Sequence, residues 1–185
     1  MSGLTDYEIA KKLLESANKK ISLNEISGML DVYCELLPKS LKLGNVEIVG
    51  KISETLEMLS GIKTVQISIG TGNCFTGLNI KLSHVELLHF FDLNDIFYAS
   101  EINWSRKLIM EQAFKSLDFD QIGIVIGDSP RDIEVAKKSK LKVVAVTSGA
   151  HTKNELVAHG PDAILDSDWG LKELLNVLND IALNL

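Results

Sequence analysis

The chain has 185 residues, 45% of them apolar and 24% charged, and a formal net charge of −6. That length suits one domain, or one with a small appendage. It allows roughly 70% of the unfolded surface to be buried without staples, and the composition excludes disorder, collagen and low-complexity scaffolds. Nineteen Lys plus Arg stand against twenty-five Asp plus Glu. An acidic chain repels phosphate backbones at long range, so non-specific nucleic-acid binding is not expected. A small phosphorylated ligand is compatible, because a local cation and a metal can invert the sign inside a pocket. No apolar run approaches the ~18 residues of a membrane span. Met1 to Glu8 shows no basic stretch followed by an apolar one, so no secretory signal is expected. Cys34 and Cys74 are too few for a disulfide framework and lack metal-ligand spacing. They read as reduced thiols of a cytoplasmic protein.

In chain order, Leu4 to Ala17 and Leu23 to Leu37 repeat apolar residues at helical spacing. Ser22 or Asn24 is positioned to cap the second helix, and Pro38 to end it. Near Gly50 the pattern changes. Lys51–Ser60 reads as a helix, Thr64–Ile69 as a strand, and Phe75–Leu88 as mostly helix with a break near His84. Trp104–Leu117 reads as a helix capped by Asn103. Ile122–Ile126 is an apolar strand, Pro130–Ser139 a helix and Lys142–Val146 a second apolar strand. Thr152–Ala158 reads as a helix, Ala163–Leu165 as a short strand and Leu171–Leu183 as the last helix. Apolar strands alternating with helices predict an α/β fold with a parallel sheet covered on both faces. Ligands of such sheets sit beyond the carboxyl ends of the strands.

The residues at those ends are small, polar or acidic. Gly70-Thr71-Gly72-Asn73 follows the first strand. It is a poor dinucleotide fingerprint, because Phe75 stands where the third glycine belongs. Two readings remain: a loop that offers a Thr hydroxyl and backbone N–H groups to one phosphate, or a glycine turn between strand and helix. Gly127-Asp128-Ser129-Pro130-Arg131-Asp132 follows the next strand. Asp128 and Asp132 are spaced to share a hard cation such as magnesium. Ser129, Pro130 and Asp132 also suit a helix N-terminus, which leaves Asp128 unexplained by capping. Thr147-Ser148-Gly149-Ala150-His151 follows the third strand, and Asp166 and Asp168 follow the fourth. Arg106 and Lys107 sit unfavourably at the positive end of a helix. A phosphate or a surface carboxylate such as Glu101 would serve as partner. His84 and His89 read as helix decoration, His151 as a residue able to line the site, and His159 shows no metal spacing. Trp104 and Trp169 read as packing anchors. Asn103-Trp104-Ser105 spells a glycosylation acceptor that a cytoplasmic chain would not use.

In combination these stretches resemble the haloacid dehalogenase (HAD) superfamily, and most closely its phosphoglycolate-phosphatase-like branch. The resemblance runs from about Leu4 to Leu175. It rests on Ile69–Asn73, Ser105–Leu108 and Val125–Ile133, with Val144–Gly149 and Gly160–Leu165 adding weight. It implies a Rossmann-like three-layer α/β core with an N-terminal helical cap. Residues 1–49 would be the cap-like segment, and residues 50–185 the core lacking its first strand. By the same resemblance Thr71 hydrogen-bonds the phosphoryl group, with Gly72 and Asn73 in the same loop. Arg106 neutralises phosphoryl charge, although many relatives carry Lys there, and Asp128 and Asp132 hold Mg2+. The implied activity is hydrolysis of small phosphate monoesters. The acid pair favours it over dehalogenation, which has no need of that pair.

The family's first motif, an Asp-x-Asp whose first Asp is the nucleophile, has no counterpart on an N-terminal strand. Asp118-Phe119-Asp120 has the spelling but stands at a helix end. The family forms an aspartyl-phosphate, which requires that nucleophile. In the family the missing strand lies mid-sheet, between the strands that end at Thr71 and Asp128. The expectations are therefore a phosphatase domain truncated at its N-terminus, or a non-catalytic phosphate-binding or protein-interaction module. A partner chain or self-association that completes the sheet is compatible with both. The substrate within the phosphorylated metabolites is not legible.

Overall fold

The computed structural model describes residues 3–44, 46 and 48–183. Its contacts group into two units, Met1–Glu47 with Ile67–Ile109, and Ile48–Gln66 with Met110–Leu185. In the first unit, Thr5 starts helix α1 (Asp6–Ser16) through a reciprocal box. The Glu8 N–H donates to the Thr5 hydroxyl, and the Thr5 N–H donates to the Glu8 carboxylate. Ser22 caps helix α2 (Leu23–Leu43). This helix does not stop at Leu37 as expected, since Pro38 lies inside it. Pro38 is exposed. The backbone bond it withholds is therefore lost at a wetted position, just beyond the buried stripe of Ile26, Leu30 and Leu37. Ala10, Leu14, Ile26, Leu30 and Cys74 form the core of this unit, with Tyr7, Met29, Tyr33, Cys34 and Trp104 packed around it.

The strand expected over Thr64–Ile69 is displaced along the chain. Strand β1 runs over Ile69–Cys74, through the glycine loop itself, and helix α4 (Phe75–His84) follows directly. Its partner is a strand that periodicity did not reveal, β2 (Ile96–Ala99), reached through short 3-10 turns at Leu88–Phe90 and Leu93–Asp95. The two pair in parallel, Ile69 with Ile96, Gly70 with Phe97 and Cys74 with Ala99. Backbone pairing therefore begins only where β2 is available. Val65 and Gln66 alternate like a strand but remain exposed and unassigned. Helix α5 (Arg106–Lys115) begins at the end of this unit. Its first amides are met by Ser105, through its hydroxyl and its carbonyl, and not by the expected Asn103. Asn103 closes a turn with Ser100 instead.

The second unit contains helix α3 (Ile52–Ser60) and the sequence β3 (Ile124–Gly127), α6 (Pro130–Lys138), β4 (Lys142–Val146), α7 (Lys153–Ala158), β5 (Ala163–Leu165) and α8 (Leu171–Leu183). The sheet order is β3-β4-β5, all parallel. Central β4 is covered on both faces, and Val143, Val144 and Ala145 are fully buried. Helix α6 contributes Ile133, Val135 and Ala136, and α7 contributes Leu156, to the same core. Asp162 ties β4 to the start of β5. Its carboxylate accepts the Val143 N–H at 2.8 Å and faces Lys142 at 3.2 Å, which makes it a structural acid.

The α/β class with parallel pairing is as expected. The described strands pair as β1-β2 and as β3-β4-β5. Among the described residues β1 has only β2 beside it, and β3 only β4. No described helix is long and apolar enough to cross a membrane.

Thr5 is fully buried. Besides capping α1, its hydroxyl donates to the Trp104 carbonyl, 99 residues away in sequence. Thr5→Val keeps the shape and removes both roles. It is expected to lower the unfolding free energy by about 1–3 kcal/mol in urea denaturation.

Candidate active site

The loop in β1 is built from backbone turned in on itself. The Thr71 hydroxyl accepts the Asn73 N–H at 3.2 Å. That bond uses a lone pair and leaves the hydroxyl proton for an acceptor such as a phosphoryl oxygen. Gly72 is buried for a packing reason. A Cβ there would lie 3.1 Å from the Thr5 Cα and 3.4 Å from the Leu4 carbonyl oxygen, so the segment before α1 presses directly on the loop. Asp6 secures the far side. Its carboxylate accepts the Cys74 N–H at 2.9 Å and the Asn73 side-chain amide at 3.5 Å. Lys81, on α4, donates to the Asn73 side-chain oxygen Oδ1 at 3.1 Å. The Asn73 side chain is thus held between an acid and a base. Asp6 and Lys81 were not singled out from the sequence. Their only signals were a first-turn acid and a lysine eight residues beyond Asn73.

Arg106 is half-buried in the first turn of α5. Trp104 just before it is the anchor expected, with its indole N–H donating to the Glu101 carbonyl at 2.8 Å and its ring on the core of the first unit.

In the second unit the acid pair stands at the carboxyl end of β3. Ser129 is the N-cap of α6 and Pro130 its first residue, as the capping reading required. The Ser129 hydroxyl accepts the Asp132 N–H at 3.2 Å and donates to the Asp132 carboxylate at 2.7 Å, in a buried pair. Capping therefore accounts for where Asp132 points. It does not account for Asp128, which is exposed just past the strand. Two glycines make room for the carboxylates. A Cβ on Gly127 would come within 2.6 Å of the Asp132 Cβ, and one on Gly149 within 2.3 Å of an Asp128 carboxylate oxygen. The β4–α7 loop thus closes on Asp128 at a residue without a side chain.

Such a donor set suits magnesium, a hard cation that takes oxygen ligands and keeps several waters. Asp128 and Asp132 would supply two of its ligands. No cluster of three or more metal-binding side chains exists among the described residues.

The remaining strand-end groups have structural partners or none of note. Asp166 pairs with Lys153 at 2.9 Å on the surface. His159 meets the Glu155 carbonyl oxygen and lies 3.5 Å from Glu134. His84 ends α4, and His89 stacks near Phe90. Glu155 caps α7, and the Thr152 N–H and hydroxyl hold its carboxyl below the usual range. His151 is half-buried in the β4–α7 loop.

A family model described as haloacid dehalogenase-like hydrolase matches residues 1–146. No curated protein matches the sequence. Among solved structures, a haloacid dehalogenase-like family hydrolase from Streptococcus pneumoniae aligns at 20% identity over 95% of this chain and 93% of that one, with a TM-score of 0.61. A hydrolase from Pseudomonas syringae aligns at 20% identity over 97% and 80%, TM-score 0.67. A predicted phosphatase from Clostridium acetobutylicum aligns at 21% identity over 94% and 76%, TM-score 0.63. At these identities the likeness is one of fold.

The glycine cradle makes a stability prediction that needs no ligand. At Gly127 the obstacle is the Cβ of Asp132, close to the backbone of α6, so it cannot swing aside. Gly127→Ala is expected to cost about 1–3 kcal/mol in chemical denaturation, the usual range for overpacking.

Proposed function

Because the chain belongs to the haloacid dehalogenase-like hydrolases, we propose that it serves magnesium-dependent hydrolysis of small phosphate monoesters in the cytoplasm. The observation that carries this reading is the acid pair at the β3 end, with Asp132 packed over Gly127 and Asp128 over Gly149 of the β4–α7 loop. Asp128 and Asp132 would hold the metal, which supplies Lewis-acid polarisation of the phosphoryl oxygens when bound. The Thr71 hydroxyl donates to a phosphoryl oxygen, and backbone N–H groups near Gly72 and Asn73 orient it. Arg106 neutralises charge that builds on the phosphoryl group, an electrostatic contribution fixed before the reaction begins. Residues 1–49 act as the helical cap segment and residues 50–185 as the core.

None of these groups attacks phosphorus. Asp118 and Asp120 flank a fully exposed Phe119 after α5, which is no setting for a nucleophile. In this reading the attacking carboxylate arrives on a strand that pairs along a free edge, supplied by an upstream segment or a partner chain. A second reading rests on the same observation. Without that carboxylate, the residues described here form a phosphate-binding module that does not turn over.

The test is hydrolysis of p-nitrophenyl phosphate, together with calorimetric titration of magnesium and inorganic phosphate. Asp128→Asn is expected to weaken magnesium binding and, where turnover is present, to lower it on the order of 100-fold or more. Arg106→Ala is expected to weaken phosphate binding while leaving magnesium binding intact. Unchanged magnesium binding in Asp128→Asn would overturn the metal assignment. Saturable binding of both ligands without turnover would favour the non-catalytic reading.

A further inference from the structure

The two cysteines of the chain are 40 residues apart in sequence, yet their sulfurs meet. Cys34 Sγ lies 3.7 Å from Cys74 Sγ. Cys34 is half-buried on α2, and Cys74 is buried at the last position of β1, where it precedes α4. A disulfide needs sulfurs about 2 Å apart, so closure asks for less than ~2 Å of approach. Two features of the fold permit it. Gly77 stands beneath the Cys74 sulfur, and a Cβ there would lie 3.2 Å from it, so the absent side chain leaves the thiol its space. Pro38 follows Cys34 by one helical turn and has no N–H to donate to the Cys34 carbonyl, so α2 is less firmly tied at that point.

We propose that Cys34 and Cys74 are a thiol-oxidation site that closes to a reversible intramolecular disulfide joining α2 to the start of α4. The oxidant is a small-molecule disulfide of the glutathione class. The Cys34 sulfur, the more exposed of the pair, attacks one sulfur of the oxidant as its thiolate. A mixed disulfide forms at Cys34 and one small thiol leaves. Cys74 then loses its proton to water and attacks the Cys34 sulfur, and the second small thiol leaves. Two protein thiols are oxidised, and one small disulfide is reduced to two thiols. Burial pushes the Cys74 thiol up to about 12, which sets the order of events with Cys34 as the point of entry.

The site is independent of the phosphate reading, since it requires only the packing of the first unit. The direct test equilibrates the native chain with mixtures of reduced and oxidised glutathione, quenches with acid, alkylates free thiols and maps the peptides by mass. The expected product at the oxidising end is a linked Cys34–Cys74 peptide that lacks two hydrogens. It should revert under reducing glutathione, and the oxidised chain should unfold at a higher temperature. Cys74→Ser should stop at a glutathione adduct on Cys34, and Cys34→Ser should leave Cys74 largely unmodified. A native chain that keeps both thiols in fully oxidised glutathione, or accumulates separate glutathione adducts at equilibrium, would overturn the proposal whatever the variants do.

Discussion

A buried β-strand must pair its backbone N–H and C=O groups along both edges, and this constraint bears most heavily on the second unit. Strands β3 and β4 are both strongly apolar and adjacent in one sheet. With neighbours on both sides, β4 holds Val143, Val144 and Ala145 at zero exposure. With one neighbour, β3 buries none of its four residues fully, and Ile126 remains 42% exposed. Composition alone does not separate the two. They differ also in the row of backbone groups along one edge of β3 that no described strand meets. Open edges of this kind are normally blunted by charge, proline or a covering element. In β3 the edge carries only Ile, Val and Gly, which suits a strand meant to be paired on both sides.

The second organising feature is the use of missing side chains at strand ends. Gly127 and Gly149 each admit another part of the protein to a distance that a Cβ would forbid, and Gly72 admits one that a Cβ would crowd. At Gly72 the visitor is the backbone before α1, and at the other two it is a carboxylate. One residue type therefore performs two tasks. It packs the first unit beneath its own loop, and it holds two acids close to the end of the sheet in the second. Where a glycine spaces a carboxylate, a substitution disturbs charge placement as well as packing.

Much of this was legible in the sequence. The bounds of β4, β5 and α8 coincide with those read from apolar runs between turn residues, because both faces of β4 and the inner face of α8 are decided by burial. Arg106, Asp128 and Asp132 fall at or beside element ends, whereas Thr71, read as following the first strand, lies inside β1. What escaped was set by partners distant in sequence. Strand β2 is four residues long and follows two 3-10 turns, too short for a periodic signal, and it exists because β1 is beside it. The run Thr64–Ile69 has the alternation of a strand, but pairing with Ile96 begins only at Ile69. Helix α2 passes Pro38 on an exposed face, one residue beyond the buried Leu37. Ser105 displaced Asn103 as a cap because Asn103 was already engaged with Ser100. The Asp6 hold on the Asn73–Cys74 turn spans 68 residues, and no local pattern encodes it.

The interleaving of the two units bears on how the chain is made. Residues 1–47 wait for residues 67–109, and residues 48–66 wait for residues 110 onward. Neither unit is a contiguous stretch that a ribosome releases whole. The buried hydroxyl of Thr5 finds the Trp104 carbonyl only after some hundred further residues have emerged. Helices α1 and α2 therefore have only each other to pack against until residues 67–109 have emerged. Contacts this distant in sequence slow folding and lengthen exposure to aggregation. The capping box that starts α1 and the Ser22 cap of α2 act locally and at once. They give these two helices their first order well before their distant tertiary partners exist.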